Sequence, residues 1–379
     1  MNNFDTIGRM MADRLCTEPY EKALRQSIHP GSAVLDIGSC AAGHALLACQ
    51  LGARRVYLIE PGDGIEMARA FARDNGFENR IEFIRALSTE VALPEPVDVI
   101  VSELRGAVPL VDGRLRSLMD ARDRFLAPGG VLIPLRDDLR VAVVDAPDLH
   151  GRFVDAWDHN PLALDMTTAR ELVLNAVHWG AVAPDQLLTD AAVWATLDYP
   201  SLKEENARGH VTLTVARSGV GHGLAHWFDA TLVEGIGFSV GPGQTDQGYG
   251  RPFLPWSHPV ALAAGDEVHL ELRADRIGND YVWTWRTRVT DQGQSTKAEF
   301  EQSTFSSWPL SRRWLRNRRS DHVVELTPTG RADCLILQSM AAGVTLGAIA
   351  EDLATRFPTQ FETGNRAFAR VSELADKYA

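Results

Sequence analysis

The sequence predicts an α/β half built on a parallel sheet, then an all-β half, then a small helical end. Three observations carry that expectation. Residues 34–60, VLDIGSCAAGHALLACQLGARRVYLIE, read as strand, turn, helix and second strand. From about 146 to 310 the rhythm changes to short alternating stretches such as HVTLTVAR, HWFDATL and EVHLELRA. Gly- and Pro-rich breaks such as SVGPGQTDQGYGRP punctuate them, the pattern of a β-sandwich or barrel. Helical spacing then takes over in CLILQSMAAG, LGAIAEDLATRF and NRAFARVSELADKYA.

Taken in order, residues 1–30 are helical, because MMADRL and PYEKALRQSI repeat apolar residues three and four apart. Residues 31–145 alternate strands and helices, with strands near VLDIG, VYLIE, IEFIR, VDVIVSE and GVLIPL. The turn after the first strand needs glycines where a nucleotide-like ligand approaches the backbone. Only Gly38 is left there, in a G-x-C-x-A pattern that puts Cys40 and Ala42 at the other glycine positions. Glu60 closes the second strand, where a carboxylate can accept both hydroxyls of a ribose. The next part spans 146–310, with a helical interruption around TARELVLNAVHWG inside a segment near 160–190. A basic stretch, RRWLRNRR, precedes the final domain at 320–379, and there is no internal repeat.

Composition sets bounds. With 379 residues, 45% hydrophobic and 23% charged, the chain can build two or three full cores. No apolar run reaches the roughly 18–20 residues of a membrane span, and MNNFDTIGRMMADR lacks the apolar core of a secretory signal. Cys16, Cys40, Cys49 and Cys334 form neither a disulfide framework nor a zinc pattern, so reduced thiols and a cytoplasmic location are expected. A net charge of −12 argues against nucleic acid as the main partner.

Several segments, in order, resemble the protein arginine methyltransferase family. FDTIGRMMAD is similar to that family's helical lid over the cofactor, and VLDIGS and GARRVYLIE to its first motif and ribose-binding acid. IRALSTEVALPEPVDVIVSELRG is similar to the run from adenine pocket to active-site loop, DRFLAPGGVLIP to the strand leaving the α/β half, and ELVLNA to a segment near the dimerisation arm. The resemblance covers residues 4–300. It implies a Rossmann-like methyltransferase domain followed by a β-barrel domain, S-adenosyl-L-methionine as cofactor, a protein or peptide acceptor and a homodimer. Carried over by position, it implies Asp36, Gly38, Cys40, Glu60, Ser88, Thr89 and Met11 around the cofactor, with Glu103, Asp112 and Arg105 shaping the acceptor site.

The departures matter equally. The family's second acceptor glutamate falls on Asp112, and Arg105 stands where the family carries Met. A fixed cation there repels arginine and either attracts a carboxylate or neutralises Glu103 in an internal salt bridge, which leaves nitrogen and carboxylate oxygen both open as methyl acceptors. The Thr-His-Trp triplet is replaced by the region around Gly248 and Tyr249, with Pro255 and Trp256 nearby. The lid arginine falls on Cys16. A catalytically inactive scaffold is therefore the alternative to an enzyme. Asp13 reads as a solvated helix residue or as one that orients an active-site group. His44 and His258 read as structural, no metal spacing is present, and Trp227, Trp256, Trp283 and Trp285 read as barrel core or domain interface. The arginines from Arg312 to Arg319 read as a solvated linker or a contact for an acidic peptide. ELTPTGRADCLILQSMAAGVTLGAIAEDLATRF resembles a PqqD-like winged-helix module. Such modules take a precursor peptide as an added strand, implying a ribosomally made peptide as substrate.

Overall fold

The computed structural model describes residues 4–39, 42–104, 108–110, 114–244, 251–309, 311–317 and 319–378. Cys40, Arg105, Asp112, Gly248, Tyr249 and Arg318 lie outside them. The chain forms two compact units, 1–309 and 310–379.

The first unit opens with α1 (Phe4–Ala12) and α2 (Arg14–Ser27). Asp13 separates the two: its Oδ1 accepts the Leu15 N–H at 3.0 Å, capping α2 while 5% exposed. It is thus a buried helix cap rather than a solvated helix residue. The parallel core follows as β1 (Ala33–Ile37), α3 (Gly43–Gln50), β2 (Arg55–Ile59), α4 (Gly64–Asp74), β3 (Ile81–Ile84), β4 (Val97–Ser102), α5 (Arg114–Phe125) and β5 (Leu126–Ile133). The strand order is β3-β2-β1-β4-β5. All five residues of β1 are buried, as expected of a central strand covered on both faces. The order reverses between β1 and β4, so the loops leaving those two strands open a crevice at their carboxyl ends.

β6 (Arg136–Val144) carries the chain out of this half. A helical excursion follows, α6 (Pro147–Asp158) and α7 (Thr167–Leu174), which returns through the short β7 (His178–Trp179). The remaining strands are β8 (Ala192–Asp198), β9 (Ala207–Thr214), β10 (Gly219–Val233), β11 (Ile236–Ser239), β12 (Pro252–Leu262), β13 (Glu267–Ile277), β14 (Asp280–Thr290) and β15 (Thr296–Ser303). One sheet runs β7-β12-β10-β6-β8 with β11 on β10; the other runs β15-β14-β13-β9. Strand β13 alternates buried and half-buried residues, the period of a sheet with one face inward. Trp227, Trp256, Trp283 and Trp285 are all buried, as their apolar bulk predicts.

The second unit holds α8 (Arg312–Arg316), α9 (Pro328–Ala341), α10 (Leu346–Arg356) and α11 (Gly364–Tyr378). Its own small core joins Ala332, Ile336, Ile349, Leu353, Val371 and Leu374. Arg370 clamps Asp333 at 2.6 Å, tying α11 to α9. Among the described residues of this unit there is no strand. The wing expected of a winged helix, and with it a sheet edge for strand addition, has no counterpart there. Among the described residues no helix is long and apolar enough to cross a membrane.

Candidate active site

Asp36 ends up wholly buried because β1 is the central strand, and its Oδ2 accepts the Ala45 N–H at 3.0 Å. The carboxylate thereby sits at the N-terminus of α3, where free backbone N–H groups favour negative charge. Burial still dominates and pushes the Asp36 carboxyl up to about 6, against the pull of His44 and the Ala45 N–H. Among the described residues Oδ1 has no hydrogen bond of good geometry, and it lies 4.0 Å from His44 Nδ1.

His44 stands in the first turn of α3. Its ring packs on Tyr20 with centroids 4.5 Å apart, and Tyr20 in turn donates its hydroxyl to the Ser102 carbonyl at 2.9 Å. The far side of the imidazole, Nε2, is 4.0 Å from Glu103 Oε2. A buried carboxylate, an imidazole and a loop carboxylate thus stand in line. Both gaps are ion-pair distances rather than hydrogen bonds, and contacts of this kind shorten when a site fills. From its sequence alone His44 reads as structural; in the structure its ring lines the cavity between the two acids. The usable signal was its position, just past the ligand turn, on the helix facing the end of β4.

A cavity of about 390 Å³ opens over this line, bordered by Met11, Tyr20, Gly38, Ser39, His44 and Glu103. Gly38 has φ +78, and a Cβ there would come within 2.1 Å of the Leu104 side chain. That position therefore requires glycine on two counts. Ala42 adopts φ 52 and ψ 17 without being glycine, a left-handed conformation that costs an L-residue about 1–2 kcal/mol. Met11 reaches the same cavity, its sulfur 3.5 Å from where a Cβ on Gly43 would sit.

Of the other expected cofactor residues, Glu60 lies past the end of β2 and uses Oε1 to accept the Gly62 N–H at 2.8 Å. Its second oxygen has no hydrogen bond among the described residues. Ser88 is buried and its hydroxyl is engaged with the Ser117 carbonyl at 3.4 Å, while Thr89 is exposed. Neither hydroxyl borders the cavity. Cys16, at the lid-arginine position, is buried with its thiol 3.9 Å from Asp13 Oδ2. Cys40, Arg105 and Asp112 lie outside the described residues, so the acceptor loop is represented by Glu103 alone. No metal-ligating cluster occurs among the described residues.

A five-stranded parallel sheet with its crevice at the β1–β4 reversal, an acid closing β2 and a glycine turn defines a class I methyltransferase whose cofactor is S-adenosylmethionine. The residues fit that group. Gly38 lets the backbone approach closely, while Asp36 Oδ1, without a hydrogen bond among the described residues, and the Glu60 carboxylate offer acceptors to its polar ends. Comparison with known proteins narrows the class. Residues 136–286 match the family model for the arginine methyltransferase oligomerization subdomain. The protein arginine N-methyltransferase 1 of Dictyostelium discoideum is 27% identical over 249 residues, 64% of this chain and 73% of that protein. The protein arginine N-methyltransferase 6 of Xenopus tropicalis is 30% identical over 235 residues, 59% of this chain and 69% of that protein. The uniquely open structure of Arabidopsis thaliana protein arginine methyltransferase 10 superposes with a TM-score of 0.71 at 22% identity, covering 78% of this chain and 96% of that one. The Trypanosoma brucei enzyme–prozyme heterotetramer with AdoHcy gives 0.73 at 21%, covering 79% and 98%. The chain belongs to the protein arginine N-methyltransferase family.

Proposed function

We propose that this enzyme methylates a guanidinium nitrogen of arginine in a polypeptide, and that Glu103, His44 and Asp36 act as one unit in doing so. The observation that carries the reading is the line of the three side chains, with 4.0 Å on either side of the imidazole. When bound, S-adenosylmethionine supplies an already electrophilic methyl group. The protein has to orient the acceptor nitrogen, exclude water and remove one proton. Glu103 accepts N–H bonds from the guanidinium and fixes its plane. As the nitrogen becomes alkylated its proton leaves through Glu103 to His44, and Asp36 stabilises the imidazolium behind it. Asp36, Gly38, Glu60 and Met11 hold the cofactor in this reading. Cys40, Ser88 and Thr89 complete its surroundings, and Arg105 and Asp112 complete the acceptor loop.

The α6–α7 excursion lies inside the matched oligomerization subdomain and supports a homodimer with an arm near 160–190. The three main helices of the C-terminal unit keep the helix rhythm of a PqqD-like reader and support a peptide-docking role, by a helical face rather than an added strand. A cytoplasmic location and a ribosomally made acceptor belong to the same reading. Two observations favour a second reading, an inactive scaffold: the strained Ala42 and the buried Cys16 at the lid-arginine position.

The test is to incubate the protein with labelled S-adenosylmethionine and arginine-containing or acidic polypeptides, then locate the methyl group by tandem mass spectrometry. A base-stable methyl on a guanidinium supports the proposal. A base-labile ester would move the acceptor to a carboxylate, and no transfer together with no cofactor binding would favour the scaffold.

A further inference from the structure

A second cavity, of about 250 Å³, lies within the β-domain side of the first unit, bordered by Leu110, Trp179, His226, Asp280, Tyr281 and Trp283. His226 projects from β10 and is 1% exposed. Among the described residues neither of its ring nitrogens has a hydrogen-bond partner. Leaving a buried polar group unpaired costs stability, and a leucine in its place would avoid that cost. The ring meets Trp194 at 5.6 Å and Trp283 at 5.4 Å between centroids, both at steep angles. Edge contacts of this kind accommodate an N–H against a π face, and since both nitrogens are shielded in the empty cavity, the other nitrogen's lone pair meets an entrant only when the ring turns. Burial pushes the imidazole down to about 3, so that lone pair is present at neutral pH.

The rest of the lining selects the entrant. Trp179, Tyr281 and Trp283 present aromatic rings, and aromatic faces attract cations. Asp280 adds an exposed carboxylate, of which Oδ1 accepts the Tyr281 N–H at 2.8 Å. The volume suits the head of one side chain rather than a cofactor. A planar guanidinium is weakly hydrated, stacks on aromatic rings and carries N–H groups for the imidazole lone pair and the carboxylate. Leu110 and Val108, which also border this cavity, belong to the same connection as Glu103. The chain's net charge of −12 draws cations toward it.

We propose that this aromatic cavity is a second guanidinium subsite, which holds an unreacting arginine side chain of the polypeptide acceptor beside the arginine that reacts at Glu103. The subsite is separate from the Glu103–His44–Asp36 line, and its binding does not depend on methyl transfer.

The test is a titration of the full-length protein with N-ethylguanidinium at pH 7.5. Binding is followed through the indole N–H signals of Trp179 and Trp283 in nuclear magnetic resonance spectra, assigned by Trp→Phe variants. The titration is run in wild type and in Glu103→Gln, which disables the acceptor carboxylate. Saturable shifts of both indoles are expected in both proteins. They should be at least threefold weaker in Asp280→Asn, lost in His226→Leu and in the surface variant Trp179→Ala, and at least tenfold weaker for neutral N-ethylurea. Absence of saturable shifts would overturn the proposal, as would equal binding of N-ethylurea. Shifts that vanish in Glu103→Gln would also overturn it, leaving one guanidinium site and the methyltransferase reading intact. If methylation fails while the shifts persist, the subsite stands and the acceptor assignment falls.

Discussion

Two cavities of the first unit each lie against a buried titratable group, and they treat it in opposite ways. In the crevice beyond β1, Asp36 is buried but answered by the Ala45 N–H and by His44. In the β-domain, His226 is equally buried and no hydrogen bond from the described residues answers it. The first arrangement keeps a charge ready inside the fold for chemistry. The second keeps a hydrogen-bonding group dry and vacant, which suits recognition. Both cost stability, at opposite ends of the pH scale.

Removing the carboxylate that faces the acceptor should do the most damage. Glu103→Gln is expected to lower kcat about 100-fold or more with the fold intact, read by initial rates alongside circular dichroism.

Asp36→Asn should separate stability from activity. The folded carboxyl titrates near 6 and the unfolded one near 3.8, so the folded state binds more protons between these values and stability falls as pH rises through them. Above pH 6 the cost is complete, on the order of 3 kcal/mol at about 1.4 kcal/mol per pH unit. Denaturant titration should find the variant more stable than wild type at pH 7.5, equal to it near pH 3.5, and poor at catalysis.

His226→Leu should show the opposite slope. The folded imidazole titrates near 3 and the unfolded one near 6.5, so the unfolded state takes up the proton first as pH falls below 6.5. Wild type then loses about 1.4 kcal/mol per pH unit from this group down toward pH 3, partly masked by Asp36 between pH 6 and 4. Melting curves at pH 7 and 5 should converge less in the variant. In the Asp36→Asn background the acid-side loss from His226 should stand out.

Ala42→Gly should have the smallest effect. Relief of the left-handed conformation is set against loss of a buried methyl, and the net gain expected is below about 1 kcal/mol, measured as a rise in Tm of a few degrees at most.

The difference between the cavities also explains what the sequence could reveal. The β1–turn–α3–β2 frame was legible because a buried parallel strand reads as a continuous apolar run, and Asp36, Gly38 and Glu103 sit at fixed distances from it. The sequence alone does not bring His44 to this line, because one histidine at a helix start carries no pattern. It matters only because β1 and β4 are neighbours in the sheet while far apart in sequence. His226 was hidden by its own strand. In HWFDATL alternation sets it on the same face as Phe228, Ala230 and Leu232, and one histidine on an apolar face of a strand buried continuously from Gly221 to Phe228 carries no sign of a cavity. Ser88 and Thr89 are hydroxyls at an expected spacing, of which Ser88 is engaged with the Ser117 carbonyl and Thr89 is exposed. The three-helix end was visible in its periodicity, whereas the expected wing had no strand pattern of its own to support it.

The central claim is that Glu103 and His44 work as one unit. The most direct test is a double-mutant cycle under single-turnover conditions, with an arginine-containing polypeptide and saturating S-adenosylmethionine. His44→Gln and Glu103→Gln should each slow transfer at least tenfold, and the double variant should be little slower than the worse single one. Rate losses that multiply independently, or a His44→Gln enzyme as fast as wild type, would contradict it.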